Sequence, residues 1–492
     1  MFTKYIAAIL CLASCAVQAQ AQAQSAPAAT GADRLQTFAF PQPIRYTHHN
    51  DDFTVRVRTP GGVWQDLYEY RVKVDLDTKQ DASMVYFNFD GSVEVAVQKN
   101  NGKFSTVAVR PDGKGIAARV KDGIAYFVLR KPENLSVEFD GDRLHNLHLF
   151  THAIRKDMPA IPDGLTSEQI TQGKAPDFTQ PQVFFGPGIH AGEFRPRSNT
   201  TVYIHGSAML KSPLILDGVE NVKVISDGMF YGADKLTIRN SKKISIDGPI
   251  FINQPEGTMR CITSQDLEER SIRTIGGGVW SDGLGHFACE RVKISDSFIR
   301  TSDDCITIYN HRWDIWGNSR DITVTDSTLW ADIAHAVMIG IHGNTPTAAH
   351  PDAEVIERVR FSNIDILEHD EDDTEYEGAI GIMAGDDNLV RDVVFENIRV
   401  DRIEEGRLFN LHIAYTPKYN TSPGRGIENI TLRNIAFSGK GSPSASVIYG
   451  HDAGRKVKNV VLDNVTVAGK RITGPEQNVL DIGPFVENVT YK

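Results

Sequence analysis

The chain has 492 residues, a formal net charge of −11, 9% aromatic and 23% charged residues. That length buries a large core in two or three domains, and the composition is that of a soluble globular protein. The acidic balance excludes nucleic acid as a partner, because a phosphate-binding surface needs an excess of Lys and Arg; sugars remain open.

The N-terminus opens with a short basic segment ending at Lys4, then an apolar run from Tyr5 to Val17, then small residues through Val17-Gln18-Ala19. This reads as an export signal over residues 1–19, with a hydrophobic run too short to span a bilayer. The expected location is periplasmic or secreted. Leu12-Ala13-Ser14-Cys15 also resembles a lipoprotein processing box, which would make 1–14 the signal and anchor an outer-membrane lipoprotein through Cys15. The Gln/Ala/Ser-rich residues 20–35 have few groups able to pack and read as a disordered leader.

Residues 36–154 alternate apolar and polar side chains in short runs, among them Phe53-Thr-Val-Arg-Val, Met84-Val-Tyr-Phe-Asn-Phe and Val93-Glu-Val-Ala-Val. Turn clusters such as Pro60-Gly61-Gly62 separate them, so the segment is expected to be an antiparallel β-sandwich. It would serve as a packing partner for the end of the next domain, with carbohydrate binding the alternative. Residues 155–182, interrupted by prolines, read as a linker.

From 183 to 492 one phrase recurs: Val219-Glu-Asn-Val-Lys-Val, Glu290-Arg-Val-Lys-Ile-Ser-Asp, Val390-Arg-Asp-Val-Val-Phe-Glu-Asn, Ile427-Glu-Asn-Ile-Thr-Leu-Arg-Asn. Units at this spacing cannot bury their apolar face alone and signal a solenoid. They are strands and turns, so the fold expected is all-β, a parallel β-helix behind the sandwich. An Asn or Asp after each strand can bond its own backbone or stack on its copy one coil away. Three cysteines fall here, 261, 289 and 305; Cys289 and Cys305 lie in adjacent expected coils and could pair, although buried free thiols are the simpler reading.

The stretch Gly276–Asn344 carries the chemistry. Within it stand Trp280-Ser281-Asp282-Gly283, Thr301-Ser302-Asp303-Asp304-Cys305 and Ala334-His335-Ala336, about one repeat apart. A coiled architecture would bring the acids side by side. Crowding raises the pKa of at least one carboxyl within about 4–6 Å of another, giving the acid and base that glycoside hydrolysis needs. Taken singly, Ser-Asp-Gly reads first as a turn; the combination with Ser-Asp-Asp-Cys and a downstream His at this spacing reverses that reading.

These motifs resemble the polygalacturonase family, glycoside hydrolase family 28, and the related dextranase and isopullulanase family 49, which adds an N-terminal β-sandwich. The resemblance implies a right-handed helix and an inverting mechanism. Asp303 would be the general acid, Asp282 and Asp304 would orient the attacking water, and His335 would hydrogen-bond the acid or a sugar hydroxyl. No metal or cofactor is expected, since no C-x-x-C or His-x-x-x-His spacing suggests a zinc site. Trp280-Ser281 replaces the family's Asn-Thr, and Ala334 and Ala336 replace its glycines. Pectin-cleaving members carry an Arg-x-Lys pair one coil beyond the His motif; Ile380-Gly381-Ile382 stands there instead, followed by Asp386 and Asp387, which would repel a uronate.

The expected enzyme is therefore an O-glycosyl hydrolase on a neutral polysaccharide such as dextran. A pectin hydrolase, a polysaccharide lyase and a non-catalytic glycan-binding helix are the alternatives. His311, Arg312 and Trp313 are candidate substrate-binding residues, with Trp316 and Trp330 as further ring faces, Trp330 being equally placed for the core. The acidic run Glu368–Glu375 reads as a solvated loop, or as a cleft wall or calcium site. A monomer with no transmembrane segment is expected.

Overall fold

The computed structural model describes residues 33–40, 48–159, 176–233, 235–343 and 346–492. The expected export signal and most of the leader lie outside the described residues, as does the middle of the segment 155–182. The last leader residues belong instead to a strand, Arg34–Gln36, paired with Gln80–Asp90. Among the described residues no helix is long and apolar enough to cross a membrane.

The first strands form two packed sheets. Alternation decides the faces: Val55, Val57, Val95, Val97 and Phe127 point inward with Phe87, Phe89, Val137 and Leu149 from the facing sheet. Each such buried side chain contributes about 1.5–3 kcal/mol. The pairing is antiparallel with one exception, because Leu147–His152 runs parallel to Gln80–Asp90.

From Gln182 onward the chain winds a right-handed parallel β-helix. Three faces recur in each coil, the third being a separate ten-stranded sheet. Val, Ile, Leu and Phe from every coil fill the bore. From Asp296 to Asn464 the turn residue between the first and second faces is Asn or Asp in the left-handed region, as at Asn397, Asn434 and Asn464, where these residues are tolerated because their short polar side chains bond locally. Their amides stack as a ladder, Asn464 to Asn434 and Asn434 to Asn397, each 3.0 Å. A second ladder, unforeseen in the repeat, joins Asn488, Asn459 and Asn429.

The sandwich does not cap the end of the helix; it lies along the second face. Outward residues of successive coils there, Met209, Met229, Ile250, Ile275, Phe298 and Trp330, pack on Tyr70, Val72, Met84 and Phe150 of the sandwich. This is why, in the coils from Ala208–Leu210 to Ser319–Ala331, the second strand carries apolar residues on its outer side as well as its inner one. Trp330 is thus core, fully buried. Within the contact Arg300 forks onto Asp332 with two 2.8 Å bonds and reaches Asn146 of the sandwich at 2.9 Å. Leu76 N–H also donates to Ser302 Oγ at 3.1 Å, bracing the residue before Asp303.

The disulfide joins Cys261 to Cys289, and Cys305 is a buried free thiol. Strand register explains the difference from the pairing considered above. Phe287 lies over Ile262, so Cys289 follows its strand at the end near Cys261, whereas Cys305 precedes its own strand, Ile306–Tyr309, at the opposite end.

Candidate active site

Leu284, Ile306 and Val337 are register partners on the third face. Counting back two residues from each gives Asp282, Asp304 and His335, which therefore form one column at the corner where the second face turns into the third. The main chain continues the ladder through the corner, Gly283 N–H to Asp304 C=O at 2.9 Å and Cys305 N–H to His335 C=O at 2.8 Å. Asp303 sits one step outside the column. One carboxylate oxygen from each of Asp282, Asp303 and Asp304 lies within 4.8 Å of the others.

Asp304 is buried and fully engaged. Its Oδ1 accepts from His335 Nδ1 at 2.7 Å and from the His335 amide at 3.1 Å; its Oδ2 accepts from the hydroxyls of Tyr309 at 3.1 Å and Tyr376 at 3.2 Å. Four donors fill the roughly four lone-pair sites of a carboxylate. Burial alone would raise this group, but the His335 charge and these bonds hold it below its ordinary range. His335 Nε2 faces the Tyr376 carbonyl. Both ring nitrogens thus meet acceptors, so the ring is an imidazolium; burial opposes this, and the Asp304 charge overrides it and raises its pKa. Of the two partners expected for His335, it takes the acid. With the ring fully buried, it does not reach a sugar, so the substrate-binding assignment is corrected to a positioning one.

Around this fixed ion pair the other two acids shift upward. Burial, then the Asp304 charge, raises Asp303 to about 7. Burial and the charges of Asp303 and Asp304 raise Asp282. The two titrate as a pair rather than separately, and one of them keeps a proton near neutrality. As a cation site the cluster is poor, because Asp304 has no oxygen to spare and calcium needs about 6–8 oxygens.

Arg312 stands near the acids, its charge opposing part of the rise of Asp282 and Asp303, and its guanidinium lies 5.0 Å from the Trp313 ring. His311 Nδ1 meets the Ile315 carbonyl and closes the loop that carries Arg312 and Trp313. Trp316 stacks on His350. Sequence reading missed Arg260, whose charge faces Asp282 and whose guanidinium lies 4.9 Å from the Trp313 ring. Its signal was the register, since Arg260 is the outward partner of Gly285. Trp280 and Trp313 are exposed by 72% and 56% and both adopt left-handed φ, 56° and 59°. That backbone is costly for a bulky residue and clusters at functional sites.

The region beyond His335 departs from expectation. Ile380 and Ile382 point into the bore, so the outward positions are Gly381 and Met383, one residue further on than the comparison with the Arg-x-Lys pair assumed. A Cβ at Gly381 would stand 3.1 Å from the His335 ring, so any side chain there would press on the residue that holds Asp304. Asp386 is buried and accepts the amides of Thr421 and Ser422 at 2.6 and 3.0 Å; it holds a loop rather than repelling a ligand. Nor is Glu368–Glu375 simply a solvated loop. Glu368 is buried between Arg143 at 2.7 Å and Arg402 at 2.9 Å. Asp373 accepts from the Tyr419 hydroxyl at 2.9 Å, and Tyr419 stacks on Tyr376. The acidic run supports the ring that holds Asp304.

A parallel β-helix with three aspartates converging at one corner defines a β-helix glycoside hydrolase. The profile of the glycosyl hydrolases family 28 matches residues 232–481, and the chain belongs to that family. Among solved structures it is similar to Dex49A from Penicillium minioluteum, at 15% identity and a TM-score of 0.59 over 93% of this chain and 96% of that one. It is also similar to a family 28 exopolygalacturonase from Yersinia enterocolitica, at 13% identity and a TM-score of 0.44 over 81% and 96%. At such identity the likeness to Dex49A shows the fold alone. No curated protein matches the sequence.

Proposed function

We propose that this hydrolase cleaves an acidic polysaccharide with inversion. Asp303 gives its proton to the leaving glycosidic oxygen while a water, delivering its own proton to Asp282, bonds to the anomeric carbon. The observation that carries the reading is the saturated Asp304 carboxylate. An anion fixed by His335, Tyr309 and Tyr376 cannot take a proton from water without losing a donor, yet its charge keeps the neighbouring acid protonated. Asp282 is left as the acceptor, which refines the shared role implied by the resemblance.

Two guanidiniums support the acidic substrate: Arg260 and Arg312 both stand near the reacting acids, where a planar cation suits a sugar carboxylate. A neutral α-glucan such as dextran is the second substrate reading, favoured by the lack of a cation at Gly381 and Met383. Retention is the second mechanistic reading. The spacing within 4.8 Å falls nearer the roughly 5–5.5 Å of retaining enzymes than the roughly 6.5–9.5 Å of inverting ones, so inversion rests on the family. Export to the periplasm or beyond belongs to the same proposal, since that is where such polymers are met.

Reducing-end release from polygalacturonate, dextran and pullulan side by side tests the substrate, and proton NMR of the first product tests the stereochemistry. Polygalacturonate is expected to be cut preferentially, with the inverted anomer appearing first. Preference for dextran would overturn the acidic reading, and an unsaturated product would overturn hydrolysis.

A further inference from the structure

The outer sheet of the sandwich, turned away from the helix, carries a cleft of about 560 Å³ that the hydrolytic site does not use. Its inward residues fill the sandwich core, so the outward ones are free to set its chemistry. Trp64 and Tyr126 provide two ring faces with centroids 6.3 Å apart, and Arg58 lies over Trp64 at 4.3 Å. Five basic and two acidic side chains line the cleft, on a chain whose net charge is −11.

The two acids are already matched. Glu94 pairs with Arg58 at 2.5 Å, and Glu133 pairs with Lys114 and Lys131 at 3.0 Å each. Among the described residues, Arg119 and Arg130 form no ion pair with a carboxylate. Val128, exposed by 41%, continues the apolar surface beside them. The short strand Arg119–Lys121 covers only Ile124–Tyr126, so the backbone of Phe127–Leu129 is open on that edge to donate to and accept from hydroxyls.

We propose that this cleft is a second glycan site, binding a polysaccharide strand that bears carboxylates. The rings take the apolar face of a sugar, since aromatic side chains bury large flat areas, and the guanidiniums of Arg119 and Arg130 take the carboxylates. Its task is to hold the enzyme on an acidic polymer while the helix cuts it. The assignment rests on the acidic-substrate reading for the biological polymer, though the cleft binds whether or not hydrolysis follows.

The test is native affinity electrophoresis of the full chain in gels containing polygalacturonate, dextran or neither, in an Asp303→Asn background so that the polymer survives. Polygalacturonate is expected to retard the protein and dextran much less, the retardation weakening as salt is added. Arg119→Glu with Arg130→Glu should weaken apparent affinity by roughly fivefold or more, the scale of two exposed ion pairs, and Trp64→Ala should weaken it independently. With Asp303 intact, these variants should hydrolyse a short oligogalacturonide as the parent does. Arg119→Gln with Arg130→Gln serves if charge reversal impairs folding.

Equal retardation of parent and cleft variants, or equal retardation by dextran, would overturn the site. So would a variant-sensitive dimer by light scattering without polymer, which would make the open edge a contact between copies of the chain. Failure to hydrolyse any oligogalacturonide would instead sink the substrate reading and leave the retardation result standing.

Discussion

Asp304 and His335 occupy the same position of successive coils, two residues before register partners Ile306 and Val337, and meet at 2.7 Å. The stacking of the solenoid makes the pair: a residue at one corner is placed over its counterpart a coil away without any loop having to find it. Because the ring is an imidazolium and the carboxylate is saturated, the pair acts as a fixed dipole behind the reacting acids.

Loosening that pair should damage turnover more than binding. Tyr376→Phe removes one bond to Asp304 while leaving the stack on Tyr419, and a hydrogen bond to a charged group is worth about 1.5–3 kcal/mol. A fall of about 10–100-fold in kcat is expected, with KM nearly unchanged. His335→Asn should cost more, since it removes the cation as well. A rise in KM alone, in steady-state kinetics on the preferred polymer, would place His335 in binding rather than in positioning.

The pH profile follows from Asp303. Its pKa is raised to about 7 by burial and the Asp304 charge, and the acid acts in its protonated form. Activity is therefore expected to fall as pH rises through about 7, and to fall again at low pH, where Asp282, itself raised by burial and its neighbours' charges, is protonated and cannot accept from water. Asp304→Asn removes the negative neighbour, lowers the pKa of Asp303 and should move the upper limb of the residual kcat/KM to lower pH. Movement to higher pH would show that another group is the acid.

Arg260 and Arg312 should govern substrate charge. Replacing either with Gln is expected to raise KM for polygalacturonate by about 10–100-fold, the scale of a charge-assisted bond, and to leave any cleavage of dextran unchanged. Equal losses on both polymers would mean that the two arginines tune the acids instead of gripping a uronate.

The contact between sandwich and helix should be mechanically important to the site. Arg300→Met leaves Asp332 buried without its partner and should cost about 3–5 kcal/mol, seen as a lower Tm. Adding Asp332→Asn should recover part of this. If the single variant unfolds as the parent does, the bracing of Thr301-Ser302-Asp303 by the sandwich is not significant.

Local pattern determined much of this protein. Period-two alternation gave the sandwich strands, and the recurring strand-turn phrase with its Asn gave the parallel helix, because both signals arise from which side of a strand faces the core. Asp282, Asp303, Asp304 and His335 were legible because they are one coil apart, and a solenoid turns that interval into contact. What register decides was not legible. Arg260 enters the cleft only because strand Met259–Ile262 aligns with Leu284–Phe287, Cys289 meets Cys261 rather than Cys305 for the same reason, and a one-residue slip sends Ile380 and Ile382 inward and leaves Gly381 facing His335. Burial by a distant segment was equally hidden: along the chain Trp330 is equally placed for core or cleft and Glu368 reads as part of a solvated loop, and only the docking of the sandwich on the second face, set by packing between residues distant in sequence, makes them core.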